Sequence, residues 1–286
     1  MPIGWVRSLA SFMQRWPVLP ATVMIALVVA GVFAPFIAPQ SAVDPDLRHR
    51  NDPPIWMEGG STERILGGDA LGRDVLSRAI YGARISLMVV AVSLASGYVV
   101  GVTLGLISGY AGGLIDETTM RLVDVWFSIP FLLLALIVAI VFKPSVFVVV
   151  ALLALVTWSA FVRNVRAEVL VIKEMDYVMA ARISGASPIR IVYRHVFPMI
   201  VNTTVVIATL RVGGLILSEA SLSFLGAGIP ASTPSWGVMI AEGRAYLDSA
   251  WWISTIPGIA LFAVVMSMNF LGDWMRDRFD PRLRQL

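Results

Sequence analysis

The chain has few side chains that could carry out catalysis. Its two histidines, His49 and His195, lie far apart in the sequence, and it has no cysteine. Disulfides, thiolate metal sites and a cysteine nucleophile are therefore excluded, and we expect no bound metal. Ser218, Ser221 and Ser223 lack the Gly-x-Ser-x-Gly elbow of a serine hydrolase, and no Gly-x-x-x-x-Gly-Lys-Ser/Thr phosphate loop occurs. We therefore predict that the chain is not an enzyme and itself binds no cofactor.

Three charged residues lie within apolar stretches, where ionised side chains are costly and usually face protein or water. Asp124 lies near the start of one stretch, where it can reach water, and Arg211 and Glu219 lie within another. The eight-residue spacing of Arg211 and Glu219 places them on similar faces of a helix, although too far apart for a one-turn ion pair. Two interpretations stay open: these residues line an aqueous pathway, or they pair with a second subunit.

A polar stretch from residue 176 to 198 has the pattern of two short helices joined by a tight turn. Gly185 falls where a left-handed helix stop belongs, Ser187 suits the cap of the next helix, and Pro188 suits its first position. The apolar side chains predicted to share one side of that second helix are Ile189, Val192 and Val196. Such a hairpin between membrane spans favours a docking element, with an ordinary loop as the alternative.

The composition places the chain in a bilayer. It is 57% hydrophobic and 14% charged, with a mean hydropathy of +0.79. Six stretches are long and apolar enough to cross a membrane, and we predict an all-α polytopic fold with six transmembrane helices. These stretches are residues 19–38, 85–107, 122–142, 146–162, 200–222 and 251–271. The first could instead be a cleaved signal peptide, but it is long for that role and no small-x-small cleavage site stands out.

A stripe of small residues marks the second predicted span. Its members recur every four residues and are Ser93, Gly97, Gly101, Gly105 and Gly109. Small side chains at this spacing let another helix approach closely. The stripe indicates tight helix packing, and a conduit-lining or moving interface is the alternative interpretation.

The distribution of Lys and Arg predicts the orientation. The hairpin region and the C-terminal tail are rich in Arg, whereas the connection from 223 to 250 has only Arg244. Segment 40–84 opposes this trend, since it holds six arginines together with seven acidic residues. We predict cytoplasmic termini and an external segment 40–81. The net charge of +3 is then explained by loops beside anionic lipid headgroups, and not by nucleic acid.

The polar hairpin resembles the "EAA loop" of ATP-binding-cassette (ABC) importer permeases, whose short helices insert into a cleft on a partner ATPase. The residues that carry this resemblance are Ala180, Ala181, Gly185 and Pro198. The family's leading Glu is Met179 here, and its late Ile and Leu positions are His195 and Phe197, an ending similar to the peptide and nickel branch. The resemblance implies a coupling hairpin at 167–198, with ATPase-coupling residues Ala180, Ala181, Gly185, Ser187, Pro188, Arg190, His195 and Pro198.

Further blocks extend the resemblance over nearly the whole chain. Segments 65–87, 217–228, 233–237 and 280–283 are similar, in order, to the dipeptide, oligopeptide and nickel permeases, specifically to the C-type half of the heterodimeric permease. This implies the ABC type I importer permease fold. We also expect an interfacial helix at 68–87, with apolar side chains on the membrane and the charges facing headgroups or protein. The side chains assigned to these two faces are Leu71, Val75, Leu76 and Ile80, and Arg73, Asp74 and Arg78.

The resemblance implies three parts and a set of partners. Residues 1–83 hold a cytoplasmic segment, the first anchor and the external loop; 84–272 form the ABC transmembrane domain of five spans; 273–286 form a cytoplasmic tail. The expected partners are a homologous permease subunit, two ATPases that bind ATP and Mg, an external substrate-binding protein and the lipids of a bacterial inner membrane. Short peptides are the expected cargo, with nickel chelates or another small solute as alternatives. A secondary transporter or channel without ATPases is the alternative of a different class.

Overall fold

The computed structural model describes residues 17–279, and these fold mainly into helices, without a β-strand in the described range. The predicted N-terminal cytoplasmic segment, up to residue 16, and the motif at 280–283 lie outside the described residues. The helices are α1 Val18–Val32, α2 Ala34–Ile37, α3 Val75–Ala111, α4 Gly113–Ser128, α5 Phe131–Phe142, α6 Val146–Ile172, α7 Asp176–Ile183, α8 Pro188–Ile191, α9 Phe197–Phe224, α10 Trp236–Gly243 and α11 Trp252–Phe279. The all-α membrane fold is therefore confirmed.

The number of spans is close to the predicted six. Within the described part, α3, α6, the run Pro188–Phe224 and α11 are long and apolar enough to cross a membrane, and α1 is a shorter apolar helix. The predicted third span, 122–142, is not one helix, because α4 and α5 meet at an angle of 82°. Pro130 is the N-cap residue immediately before α5 and lacks an amide donor, and Ile129 before it is extended, as residues before proline usually are.

The small-residue stripe packs α3 tightly against α6. A Cβ atom added at Gly97 would lie 2.5 Å from Thr157 Cβ, and one at Gly101 would lie 2.6 Å from Phe161 Cβ. Cβ atoms added at Gly105 and Gly109 would each lie 2.8 Å from the Cβ of a valine on the next turns of α6, Val165 and Val169, so the two helices run parallel in close contact. The predicted tight packing is confirmed, and this pair forms the central contact of the bundle.

The expected interfacial helix at 68–87 is not a separate element. Residues 67–74 form a turn in which Gly67 and Gly72 have positive φ, and α3 then runs without a break from Val75 to Ala111. Asp74 caps the helix by accepting a hydrogen bond from the Ser77 amide at 2.8 Å. The helix stays one piece because the charges of its first turns find partners inside the protein. The predicted boundaries at 83/84 and 272/273 both fall inside continuous helices, α3 and α11.

Two apolar clusters fill opposite ends of the bundle. One, which we call the loop end, joins the start of α3 with α10 and the start of α11, around residues such as Val75, Trp236 and Trp252. The other, the hairpin end, joins the last turns of α3 and α6 with α7, α8 and the start of α9. Since α3 has 37 residues, the two ends lie about 55 Å apart along it.

Candidate functional site: the helical hairpin and the charges of the spans

The hairpin turn is held by the backbone pattern that helices use to stop at a left-handed residue. Gly185 has a φ of +79°. Its amide donates to the Arg182 carbonyl at 3.1 Å, and the next amide, of Ala186, donates to the Ala181 carbonyl at 3.1 Å. These two bonds satisfy carbonyls at the end of α7 and form a Schellman motif. The predicted helix stop at Gly185 is confirmed, and it fixes the angle at which the chain leaves α7.

The second helix of the hairpin begins as predicted. The Ser187 hydroxyl accepts a hydrogen bond from the Arg190 amide at 3.4 Å, and Pro188 occupies the first helical position. Proline costs no hydrogen bond there because that amide has no partner within a helix. The short α8 then continues through one wider, π-helical turn, Val192–Val196, directly into α9. The hairpin and the following membrane span are therefore one continuous helical rod.

The π-helical turn changes which side chains of the second helix are buried. Ile191, Val196 and Ile200 are buried, whereas Ile189 is 83% exposed. The predicted shared face of Ile189, Val192 and Val196 is therefore wrong. A π turn adds one residue to a helical turn, so the buried side chains follow a spacing of five and then four. Regular helical periodicity could not reveal this shift.

The hairpin presents an unusually apolar exposed surface. Ile183 at the end of α7 is 84% exposed, and Tyr193 in the π turn is 76% exposed. We define the hairpin surface as the exposed apolar side chains Met175, Tyr177, Met179, Ile183, Ile189 and Tyr193. Contiguous exposed apolar patches rimmed by polar residues are typical of interaction sites. The sequence interpretation missed Ile183 and Tyr193, although an isoleucine next to the Ser-Gly helix stop was a usable signal.

Arginines and an open groove border the hairpin surface. Arg182, Arg190 and Arg194 are all exposed, which makes the surroundings of the surface basic. A groove of about 530 Å³ opens beside the π turn and is lined by Tyr193, Arg194, Phe197, Pro198, Val201 and Asn202. An acidic or polar partner segment matches the charge of this border.

The predicted coupling residues divide into exposed and supporting ones. Ala180 is exposed, and Pro198 lines the groove. Ala181 packs on the apolar cluster beneath the turn, so it supports the hairpin from inside. His195 is half-buried, with its ring 6.4 Å from that of Tyr177. Partial burial raises the pKa of the Tyr177 phenol above its usual value, so this hydroxyl stays protonated.

Asp124 forms an exposed ion pair near the hairpin end. Its Oδ1 lies 2.6 Å from Nη2 of Arg163 on α6, and the same guanidinium covers the Phe127 ring at 4.4 Å. One helical turn further along α6, Arg166 pairs with Asp116 of α4. Asp124 therefore fixes α4 against α6 and reaches solvent, as the sequence suggested it could.

Glu219 is fully buried within the chain's own bundle, which contradicts both predicted roles for it. Ser86 of α3 donates to the carboxyl group at 3.0 Å and Ser223 donates at 2.9 Å, and the side chain of Ser235 also contacts it. A residue with 0% exposure neither lines a pathway nor reaches a second subunit. Its role is to join α3, α9 and the start of α10.

Arg211 differs from Glu219 although the two were predicted to share a face. It is exposed on α9, and no residue between 17 and 279 forms a hydrogen bond or ion pair with it. Its exposed position is compatible with both predicted roles, a pathway or a subunit interface. Eight residues along a helix rotate the side chain by about 80°. This rotation leaves Arg211 on the exposed side of α9 and Glu219 on the side that packs against the bundle.

Four charged residues at the loop end form a network that the sequence interpretation did not find. Arg73 Nε lies 2.7 Å from Asp69 Oδ2, and Arg78 Nη1 lies 2.7 Å from Glu242 Oε2 on α10. Arg73 also contacts Glu242 at 2.9 Å, and Arg78 contacts Asp69. Arg78 and Asp69 are each 1% exposed. The partners lie up to 169 residues apart, so local sequence patterns carried no signal for them.

Known proteins are similar to this chain in sequence. The family model described as binding-protein-dependent transport system inner membrane component matches residues 101–285. The chain is similar to the dipeptide transport system permease protein DppC of Escherichia coli K12, with 42% identity over 92% of this chain and 87% of the relative. It is also similar to the di/tripeptide transport system permease protein DppC of Pseudomonas aeruginosa, with 38% identity over 91% and 86%. A third relative is the glutathione transport system permease protein GsiD of Pectobacterium atrosepticum, with 36% identity over 98% and 92%.

Proposed function

Because the chain belongs to the family of binding-protein-dependent transport system inner membrane components, we propose that it forms half of the translocation pathway of an ATP-driven importer of short peptides. The relatives named above are permease subunits of dipeptide, di/tripeptide and glutathione transport systems, which supports this class of cargo over nickel chelates. The family match also favours an ABC permease over a secondary transporter or channel that works without ATPases.

The observation that carries the coupling role is the exposed hairpin surface on a rigid turn. Ile183, Ile189 and Tyr193 remain exposed while the backbone beneath them is fully hydrogen-bonded at Gly185. An apolar surface of this kind gains free energy when a partner covers it. The partner ATPases would supply the covering cleft, with the residues Ala180, Ala181, Gly185, Ser187, Pro188, Arg190, His195 and Pro198 forming or supporting the contact.

The continuity of α8, the π turn and α9 suggests how motion is transmitted. A hairpin that ended in a flexible loop would move independently of the membrane part. Here the run Pro188–Phe224 is one helical element, so displacement of the docked hairpin rotates or shifts the span itself. ATP-driven closure of the ATPases would thereby open the pathway to one side, provided that the two conformations bind nucleotide and cargo with different affinities.

The remaining partners and the location follow from this role. A homologous permease subunit completes the pathway, two ATPases bind ATP and Mg, and a substrate-binding protein delivers cargo from outside. The chain would be a multi-pass protein of a bacterial inner membrane, in contact with lipids and not with nucleic acid. The hairpin and both termini would face the cytoplasm, and segment 40–81 would face the binding protein or the sister permease.

Reconstitution tests the proposed function. The chain, its sister permease, its two ATPases and the binding protein are assembled in proteoliposomes, and uptake of radiolabelled Ala-Ala is measured with ATP and with a non-hydrolysable analogue. We expect uptake only with hydrolysable ATP and loaded binding protein. Uptake that continues without the ATPases, or a chain that purifies without any nucleotide-binding subunit, would contradict the proposal.

A further inference from the structure

Arg211 is exceptional among the cations that the structure places along the spans. Four others have partners within the chain: Arg78 pairs with Asp69 and Glu242, Arg163 with Asp124 and Arg166 with Asp116, and Lys173 donates a hydrogen bond to the Gly109 carbonyl. Arg211 is exposed on α9 without a partner in the region from Pro17 to Phe279. An ionised guanidinium on a bare lipid-facing surface is strongly unfavourable. Its surroundings in the working complex must therefore supply water or an anion.

The depth of Arg211 prevents it from reaching the headgroups. It lies at the centre of the predicted span 200–222, about 16 Å along the helix axis from either end. Arg84, which is also exposed, lies just before the predicted span 85–107, where its side chain can extend to the interface. Position alone therefore distinguishes a cation that can reach the interface from one that stays at mid-membrane.

The face of α9 around Arg211 carries small and polar residues beside the cation. Following a helical spacing of three and four, it continues through Gly214, Ser218 and Ser221, all at least partly exposed. A Cβ atom added at Gly214 would meet nothing within 4 Å. Leu217 is also exposed on this side of α9, and exposed polar side chains occur on the neighbouring spans too, at Ser96 and Thr103 of α3. What distinguishes the Arg211 face is therefore the cation itself and the open space beside it at Gly214.

We infer that Arg211 binds the C-terminal carboxylate of the peptide cargo as it crosses the membrane. This rests on the proposed peptide-import function. Every unmodified linear peptide carries this carboxylate whatever its sequence, so a single cation recognises the whole class. A guanidinium matches a carboxylate with two parallel N–H donors, and a partly dry pathway strengthens the attraction. Gly214 leaves room beside the cation, and Ser218 lies one turn further along the same face.

Because the chain has no cysteine, Arg211→Cys introduces a single thiol that can be modified selectively. The complete complex is reconstituted with this variant, with Arg84→Cys as the matched control, and with the unmodified chain. Uptake of Ala-Ala is then measured before and after reaction with an aminoethyl thiosulfonate, which restores a positive charge, or with a neutral methyl thiosulfonate.

We expect Arg211→Cys to lower Ala-Ala uptake at least tenfold while the sister permease still co-purifies. The cationic reagent should restore at least a third of the uptake, the neutral reagent should not, and loaded binding protein with ATP should slow labelling of the thiol. Arg84→Cys should retain more than half of the uptake.

Two results would overturn the inference. One is full uptake by Arg211→Cys, or equal rescue by both reagents, because neither is compatible with a carboxylate held by this cation. The other is loss of the sister permease from the purified complex, which would assign Arg211 to an ion pair between subunits. An unmodified complex that takes up no Ala-Ala would instead contradict the proposed function itself.

Discussion

The two ends of the bundle differ in how their side chains find partners. At the loop end, Asp69, Arg73, Arg78 and Glu242 neutralise one another inside the protein, and the Trp252 indole donates to the Gly68 carbonyl at 3.1 Å. At the hairpin end, large apolar side chains remain exposed. The hairpin end has a hydrogen-bonded turn beneath its exposed apolar surface. The loop end also exposes apolar side chains, such as Leu47 and Trp56, but it has in addition a buried charge network that links distant parts of the chain.

This difference indicates which contacts stabilise the isolated chain and which contacts form only with partner subunits. Changes at the loop end remove contacts within the chain, so they should lower its free energy of unfolding. Changes on the hairpin surface remove contacts that the isolated chain does not make, so they should leave its stability intact and weaken the assembly. Substitutions at the two ends test this division.

Breaking the loop-end network should have the largest effect. In Arg78→Leu, the carboxylates of Asp69 and Glu242 lose one of their two cationic partners and keep Arg73, so we expect a loss of about 3 kcal/mol, the lower end of the cost of breaking a buried ion pair. The measurement is the thermal midpoint of the purified chain in detergent. The matched control is Arg121→Leu, which removes an exposed helical ion pair with Glu117 worth about 0.3–0.5 kcal/mol. Equal midpoints for the two variants would show that the network does not stabilise the loop end.

The contact between α3 and α6 should be the next most sensitive. Gly101→Val places a branched side chain against the Trp158 carbonyl and Phe161 Cβ, and the backbone cannot yield as a flexible side chain would. Overpacking of this kind costs about 3 kcal/mol at the upper end of its usual range. Gly258→Val in α11 is the control, since nothing lies within 4 Å of its added Cβ. The measurement is the unfolding transition in denaturing detergent, and Gly101→Val should unfold at a lower detergent concentration than Gly258→Val. Similar transitions for the two variants would contradict the tight packing of α3 against α6.

Removing the buried carboxyl group of Glu219 should have a smaller effect. Glu219→Leu leaves the hydroxyls of Ser86 and Ser223 without their shared acceptor, which costs about 1–2 kcal/mol. Glu219→Gln keeps an acceptor oxygen and should lose less than half as much, as measured by the same thermal midpoint. If the Leu variant is as stable as the native chain but no longer assembles with the sister permease, the residue acts between subunits after all.

The sequence allowed the prediction of features that depend on neighbouring residues. The turn at Gly185, the cap at Ser187 and the packing role of the Gly97–Gly109 stripe each follow from local chemistry, and the structure has all three. Span positions follow from continuous apolar length in the same way. These features need no knowledge of distant contacts.

Other features depend on contacts or geometry that no local pattern contains. The pairing of Arg78 with Glu242 joins residues 164 positions apart, so the charges of segment 68–78 were assigned to an interfacial helix. The π turn at 192–196 shifts the register by one residue, which exposed Ile189 against expectation. Pro130 predicted a kink, but the 82° angle depends on how α4 and α5 pack on α6.

If the hairpin couples the chain to its ATPases, two matched glycines at opposite ends of the bundle should respond differently to substitution. Gly185 at the hairpin end and Gly226 at the loop end both have positive φ, +79° and +75°, and an added Cβ meets nothing within 4 Å at either position. Valine at either site therefore strains only the local turn, by about 1–3 kcal/mol.

The decisive measurement is ATP hydrolysis by the reconstituted complex, with and without Ala-Ala-loaded binding protein. We predict that Gly185→Val abolishes the stimulation by loaded binding protein, while Gly226→Val retains at least half of it. Ala180→Asp should behave like Gly185→Val, because the docked surface would bury its charge without a partner. Full stimulation in both hairpin variants, or equal losses in Gly185→Val and Gly226→Val, would contradict the proposal that the hairpin couples the chain to its ATPases.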